Sequence, residues 1–416
     1  MHVSSSAVIA SSLAAAGQVL GAPCPREVKP IRQIELGPRP YFLVNNMTES
    51  RLKEQLLECS DMDVKASRWS IGHRGGAPLQ FPEHSREANM AGARMGAGTI
   101  ECDVSFTKDR QLVCRHSQCD LHTTTNIVAM AELNAKCTKP FEPATEGKPA
   151  SAMCCTSDVT LAEFKSLCAK MDGFNASATT PHDFLAGTPS WRTDLYATCG
   201  TLLDHREHIA LIEGLGLAHS PELKAPSVAM PFDGDYTLEA YRRQIIDNYI
   251  DAGVPASRVR PQSFSADDVR FWLAEYPEFG NQTMLLDETE PEEEAVRRLE
   301  GYARDGIRTM APPMQYLVHQ ASSGDKKMEA SEYARRTKEL GMGLVTWSLE
   351  RSGPLAAVRA NGDYYYANVG GVVAQDGDMY DYVDVLWNDV GVEGLFSDWS
   401  ATATYYANCM AIDGQD

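Results

Sequence analysis

Short apolar runs alternate with segments of helical spacing along most of this 416-residue chain, and no other feature restricts the fold as strongly. β-like runs are predicted at residues 69–74, 99–106, 217–224, 258–264, 283–286, 307–311, 343–348 and 394–397. Helical patterns are predicted at residues 86–97, 205–214, 236–252, 266–276, 290–304, 326–340, 381–389 and 402–410. In one of these, Tyr241, Ile245, Tyr249 and Ile250 share a face. Strand followed by helix implies a parallel sheet, and eight such units predict an α/β fold closed as a (β/α)8 TIM barrel. An open doubly wound sheet would carry G-x-G-x-x-G after its first strand, and Gly72-His73-Arg74-Gly75-Gly76 does not match it.

The alternation breaks between the second and third units. Residues 118–203 are rich in Thr, Ser, Pro and Cys and read as a cap over the barrel mouth. The expected division is a signal peptide at 1–22, an N-terminal arm at 23–69, the first part of the barrel at 70–117, an insertion at 118–203 and the remainder of the barrel at 204–416. Within the arm, Tyr41-Phe42-Leu43-Val44 reads as β-like and the stretch up to Cys59 as helical, and the arm is expected to pack on the barrel.

The Ala/Ser/Val/Leu run from Ala7 to Ala22, with small residues before Pro23, fits a secretory signal cleaved near Ala22. The 11 cysteines are many for a reducing compartment, and seven of them lie between Cys114 and Cys199, where they would staple a loop-rich insertion. The odd total leaves at least one thiol outside intrachain pairs. Sequons at Asn46, Asn175 and Asn281 agree with export, so a secreted glycoprotein is expected. The formal charge of −19 argues against nucleic acid and anionic membranes as partners. No apolar run after the signal is long enough to span a bilayer. A small-molecule substrate is the expected partner. If it carries phosphate, the site must supply its own positive charge.

In such barrels the chemistry sits where strands end. The first strand ends in His73-Arg74, the second carries Glu101 and Asp103, and Arg115-His116 follow a short apolar run. The third ends with Glu222 and Lys224, and the eighth at Asp398. Residues i and i+2 on a strand point to one face, so Glu101 and Asp103 face together, as do Glu222 and Lys224. Three carboxylates facing one spot are costly to bury ionised unless a cation joins them. An all-oxygen set favours one divalent cation, Mg²⁺ or Ca²⁺. His73 and His116 suit acid and base work near neutrality, and Arg74 and Lys224 offer donors to phosphate oxygens. Taken one at a time, each residue has a blander reading as a packed or solvated strand end. His84, His122, His182, His205, His208, His219 and His319 show no matching partners and read as structural or exposed.

The motifs Ile71-Gly72-His73-Arg74-Gly75-Gly76, Phe81-Pro82-Glu83-His84-Ser85, Ile100-Glu101-Cys102-Asp103-Val104, Leu112-Val113-Cys114-Arg115-His116-Ser117 and Pro221-Glu222-Leu223-Lys224 together resemble the glycerophosphodiester phosphodiesterase family. Gly394-Leu395-Phe396-Ser397-Asp398-Trp399 resembles its last strand, and the stretch Cys114–Asn126 looks most like the secreted and periplasmic branch. The resemblance implies a barrel, a divalent metal, and hydrolysis of glycerophosphodiesters to glycerol 3-phosphate and an alcohol. It implies catalytic roles for His73 and His116, metal ligation by Glu101, Asp103 and Glu222, and phosphate contacts from Arg74 and Lys224. The chain departs from the family at His84, where Asn is usual. Cys102, between two ligands, is expected to face away from the interior and be structural. A phospholipase D-like barrel acting on lysolipids or sphingomyelin is the alternative, with Phe174, Phe184 and Trp191 of the cap as a possible tail slot. A non-enzymatic binding protein would be expected to have lost a ligand or a histidine, and none is missing.

Overall fold

The computed structural model describes residues 28–193, 199–322 and 327–412. The expected signal peptide and Cys24 lie outside the described residues.

Eight parallel strands form a closed barrel: β1 (Ser67–Gly72), β2 (Ala97–Phe106), β3 (Ala218–Leu223), β4 (Gln262–Ser263), β5 (Met284–Leu286), β6 (Thr309–Ala311), β7 (Gly343–Leu349) and β8 (Gly394–Ser397). Closure is explicit in the register, because Ile71 of β1 pairs with Thr99 of β2 on one side and Phe396 of β8 on the other. Helices α1 (Arg86–Arg94), α2 (His205–Leu215), α3 (Leu238–Asp251), α4 (Ala266–Glu275), α5 (Glu292–Arg304), α6 (Glu332–Glu339), α7 (Met379–Val385) and α8 (Ser400–Cys409) follow the strands.

Local sequence explains the helix starts. Ser85, Thr237 and Ser331 accept the N3 backbone N–H of α1, α3 and α6, and Asp204 with Glu207 forms a reciprocal cap on α2. Three glutamates open α5, where the helix dipole favours negative charge. All ten residues of β2 are buried. Its interior face carries Glu101 and Asp103, while Cys102, Val104 and Phe106 join the apolar layer beneath α3.

Two expectations are corrected. Tyr41–Val44 is not a strand but part of the helix Arg39–Asn45. Four consecutive apolar residues have no period of their own. Pro40 in the first turn and the packing of Leu43, Val44 and the Tyr41 ring, 5.4 Å from Tyr405, select the helix. The helix expected from residue 326 begins only at Glu332, after the Ser331 cap. Met328–Ala330 instead pairs with Val318–Gln320 as a hairpin.

Ten cysteines form five disulfides: Cys59–Cys409, Cys102–Cys114, Cys119–Cys155, Cys137–Cys154 and Cys168–Cys199. The first ties the end of the helix Arg51–Glu58 to α8. The second joins β2 to the antiparallel strand Leu112–Cys114, so Cys102 is structural and Cys114 belongs to the barrel rim. The other three bridge the segment between that strand and α2. This segment has its own apolar cluster, including Leu121, Phe164 and Phe184, and two small antiparallel sheets. Among the described residues, no helix is long and apolar enough to cross a membrane.

Candidate active site

The turn after β1 is built by close approach. Gly76 has φ +84°, and a Cβ there would lie 2.3 Å from Ser400 Oγ and 2.8 Å from Gly72 Cα. A Cβ on Gly92 of α1 would lie 2.1 Å from the Gly75 carbonyl oxygen. Helix and turn can touch only because both positions are glycine, and this contact seats His73 and Arg74 at the barrel mouth. Arg74 and His84 both hold positive φ, 50° and 56°, a conformation that costs a non-glycine residue energy and is retained where its surroundings enforce it. For Arg74 the return is a backbone N–H donated to Glu101 Oε2 at 2.7 Å.

Six of the seven residues singled out from sequence, His73, Arg74, Glu101, His116, Glu222 and Lys224, line one cavity of about 350 Å³, walled on one side by Phe264, Trp347 and Tyr365. The seventh, Asp103, does not line the cavity but sits behind it on β2, grouped with Glu101 and Glu222. One carboxylate oxygen from each of Glu101, Asp103 and Glu222 falls in a group whose members lie within 4.8 Å of one another. All three side chains are buried.

Each carboxylate is held by a separate partner. Gln262 Nε2 donates to Glu101 Oε1 at 2.8 Å, and His84 Nε2 lies 2.7 Å from Asp103 Oδ2. Lys224 Nζ lies 2.6 Å from Glu222 Oε1. His84 is therefore not without a partner, and that expectation is corrected; its ring follows a tight turn that no residue pattern announces. Among the described residues, Asp103 Oδ1 is buried with no hydrogen bond. Burial, with the charges of Asp103 and Glu222 beside it, pushes the Glu101 carboxyl well above its ordinary range. Burial likewise pushes Glu222 up to about 8, against the opposing pull of Lys224. Three carboxylates this close do not all ionise unaided, and an oxygen without a partner is what a cation site requires. The donor set fits a hard divalent cation. A second cluster, Cys102, Cys114 and His208, does not, because its two sulfurs are bonded to each other.

His73 is oriented from behind. Its Nδ1 lies 2.5 Å from Asp398 Oδ1, immediately after β8, and its Nε2 lies 3.8 Å from Glu101 Oε2. Burial pulls the His73 imidazole down to about 4 although Asp398 opposes the shift. Asp398, fully buried, also accepts from Arg192 Nη2 at 2.8 Å and Arg351 Nη1 at 3.0 Å. Burial alone would raise its carboxyl, but Arg351, His73 and Arg192 hold it far below the usual range. Arg192 comes from the disulfide-bridged segment, so that segment reaches the mouth of the barrel. Glu83 accepts from Arg74 Nη1 at 3.0 Å. Burial, then Arg74 and Lys224, depress the His116 imidazole well below its ordinary value.

Sequence reading missed Asp398 as a partner of His73, and missed Gln262, Arg192 and Arg351 altogether. The ending of the eighth strand at Asp398 was the one available signal. Of the expected tail-slot aromatics, Phe184 is buried in the cap core with Phe174 packed on it, ring centroids 5.1 Å apart. Trp191 lines a different cavity, beside Arg39 and Tyr366.

Residues 73–402 match the model of the glycerophosphoryl diester phosphodiesterase family. The chain belongs to that family. An "Extracellular protein" of Arthroderma benhamiae is 46% identical over 245 residues, which is 58% of this chain and 99% of the relative. A solved structure from Silicibacter pomeroyi, of a protein assigned as a glycerophosphoryl diester phosphodiesterase, is 17% identical. It superposes with a TM-score of 0.53, covering 87% of this chain and 99% of the other. A phosphodiesterase from Oleispira antarctica, solved with the product sn-glycerol-3-phosphate, is 15% identical with a TM-score of 0.46, covering 81% of this chain and 95% of its own. The family is one of phosphoric diester hydrolases, generally dependent on a divalent metal, and the barrel carries an acidic cluster of the kind that holds one.

Proposed function

We propose that this chain is a secreted, metal-dependent glycerophosphodiester phosphodiesterase that releases glycerol 3-phosphate and an alcohol using His73 and His116. The observation that carries the reading is the meeting of Glu101, Asp103 and Glu222 in one buried cluster at a cavity that also holds both histidines, Arg74 and Lys224.

Glu101, Asp103 and Glu222 would hold one Mg²⁺ or Ca²⁺. When bound, the ion supplies positive charge against the phosphoryl oxygens. Arg74 and Lys224 flank the same space and orient the phosphate through charge-assisted hydrogen bonds. The Asp398 carboxylate fixes the His73 tautomer with the proton on Nδ1, which leaves Nε2 unprotonated and facing the cavity. His73 accepts the proton of the attacking hydroxyl at Nε2, and Asp398 stabilises the imidazolium that forms. His116 gives a proton to the departing alkoxide. Burial first, and then Arg74 and Lys224, keep His116 neutral in the free enzyme, and the bound diester's own negative charge offsets the two cations and favours its protonated form.

The division into an arm at 23–69, a cap at 118–203 and a barrel in two parts, with a signal peptide at 1–22, belongs to the same reading. Secretion is supported by five disulfides and by the extracellular name of the Arthroderma benhamiae relative.

The test is initial-rate release of glycerol 3-phosphate from glycerophosphocholine, glycerophosphoinositol and glycerophosphoethanolamine with Mg²⁺, Ca²⁺ or no ion, with lysophosphatidylcholine alongside. Ion-dependent release from at least one glycerophosphodiester, well above lysolipid turnover, is expected. Turnover of lysolipid alone would replace the reading with the lipid-directed one.

A further inference from the structure

The end of the barrel opposite the catalytic cavity opens into a second cavity of about 900 Å³. It is lined where strands begin: by Arg68 in β1, Arg260 just ahead of β4, Asn281 ahead of β5, Thr309 at the start of β6 and Glu393 just ahead of β8. Arg258 adds a third guanidinium. Three arginines thus converge on one space in a chain whose formal charge is −19.

Two of these arginines are held quite differently. Arg258 is anchored, donating to Glu213 Oε2 at 2.8 Å and to the Leu217 carbonyl at 2.6 Å. Arg260 has the Glu393 carboxylate at 3.8 Å, beyond hydrogen-bond reach, and its guanidinium makes no hydrogen bond among the described residues. Its side chain is nonetheless only 25% exposed. A guanidinium presents five N–H donors in a planar fork that matches paired oxygens of an oxyanion, and Arg260 offers that fork to the cavity largely withdrawn from bulk water. The Gln282 amide and the Thr309 hydroxyl add neutral groups to the wall.

We propose that this cavity is an oxyanion-binding site, distinct from the catalytic one, that receives a small phosphate-bearing dianion on Arg260 with Arg68 and Arg258 supplying surrounding positive charge. A tetrahedral dianion suits it better than a carboxylate, because its oxygens can engage the Arg260 fork and neutral donors of the wall together. Glu393 is the opposing charge. An anion entering beside Arg260 must share that guanidinium with the carboxylate, so Glu393 holds the affinity down.

Isothermal titration of the full chain with inorganic phosphate, and in a second arm with glycerol 3-phosphate, tests this. Two sites are expected in the wild type, the catalytic one and this one. Arg260→Gln should weaken one of them by about tenfold or more while leaving kcat and KM for diester hydrolysis unchanged. Glu393→Gln, which keeps the side chain's shape, should tighten the same site several-fold. Equal binding of the two ligands assigns recognition to the phosphate alone, and preference for the ester assigns it to phosphate and glycerol together; both support the site. A single phosphate site in the wild type, or phosphate binding unaltered by both substitutions, overturns the proposal. Should Arg260→Gln fail to fold, the sign of the Glu393→Gln effect decides: tighter binding supports the site, and unchanged or weaker binding overturns it.

Discussion

Asp398→Asn isolates the group that orients His73. The native carboxylate serves three donors at once, His73 Nδ1 at 2.5 Å, Arg192 Nη2 at 2.8 Å and Arg351 Nη1 at 3.0 Å, with no exposure to water. Asparagine keeps the volume but has one accepting oxygen, so it cannot serve both the histidine and the two guanidinium groups. A hydrogen bond involving a charged group contributes about 1.5–3 kcal/mol, which by itself corresponds to about 10- to 150-fold in rate. Where the amide N–H₂ turns toward His73, it donates to Nδ1 and moves the ring proton to Nε2, the tautomer that cannot accept from a nucleophile. That added loss brings the expected fall in kcat to about 10²–10⁴-fold, the full range of general-base catalysis. KM should change by no more than a few-fold, because Arg74 and Lys224 are untouched. The assay is initial-rate glycerol 3-phosphate release across substrate concentration, with circular dichroism to confirm the fold. A kcat within twofold of wild type would refute the role given to Asp398 and with it the orientation of His73.

Three further outcomes are expected. His116→Ala should lower kcat by about 10²–10⁴-fold, and should lose less on a diester with a good leaving group such as nitrophenol, which needs no proton; an equal loss on both substrates would count against the acid role. Cys59→Ser, paired with Cys409→Ser, opens a bridge spanning 350 residues and should lower stability by up to about 5 kcal/mol in urea unfolding, without altering kcat at 25 °C. Burial pushes His205 down to about 3 and His208 well below its ordinary value, so both stay neutral in the fold while the unfolded chain takes up their protons below pH 6.5. Stability from these two residues is therefore complete above pH 6.5 and falls as the pH drops toward 3, by up to about 1.4 kcal/mol per pH unit for each; a flat urea midpoint between pH 7 and 5 would contradict this.

The barrel was legible because its signals are local. β2 alternates Glu101 and Asp103 inward with Cys102 and Val104 outward, and helix starts at Ser85, Asp204 and Thr237 carry their caps within three residues. The carboxylate cluster was legible for the same reason, since i, i+2 spacing on a strand decides a shared face. What escaped the sequence depends on distance along the chain. His73 and Asp398 are 325 residues apart and meet only because β1 and β8 close the barrel. Gln262 reaches Glu101 across 161 residues, and Arg192 reaches Asp398 across 206. Tyr41–Val44 was misread because its helix is selected by docking against α8, a contact that intrinsic propensity does not contain.

The most direct measurement is metal content and activity on one sample: elemental analysis of the purified chain before and after chelation, with phosphodiesterase rates taken at each stage and after adding back Mg²⁺ or Ca²⁺. One divalent cation per chain, activity lost with it and regained on its return, and no cation retained by Asp103→Asn, are the predicted results. Undiminished hydrolysis by a chain shown to be free of metal would contradict the role given to Glu101, Asp103 and Glu222.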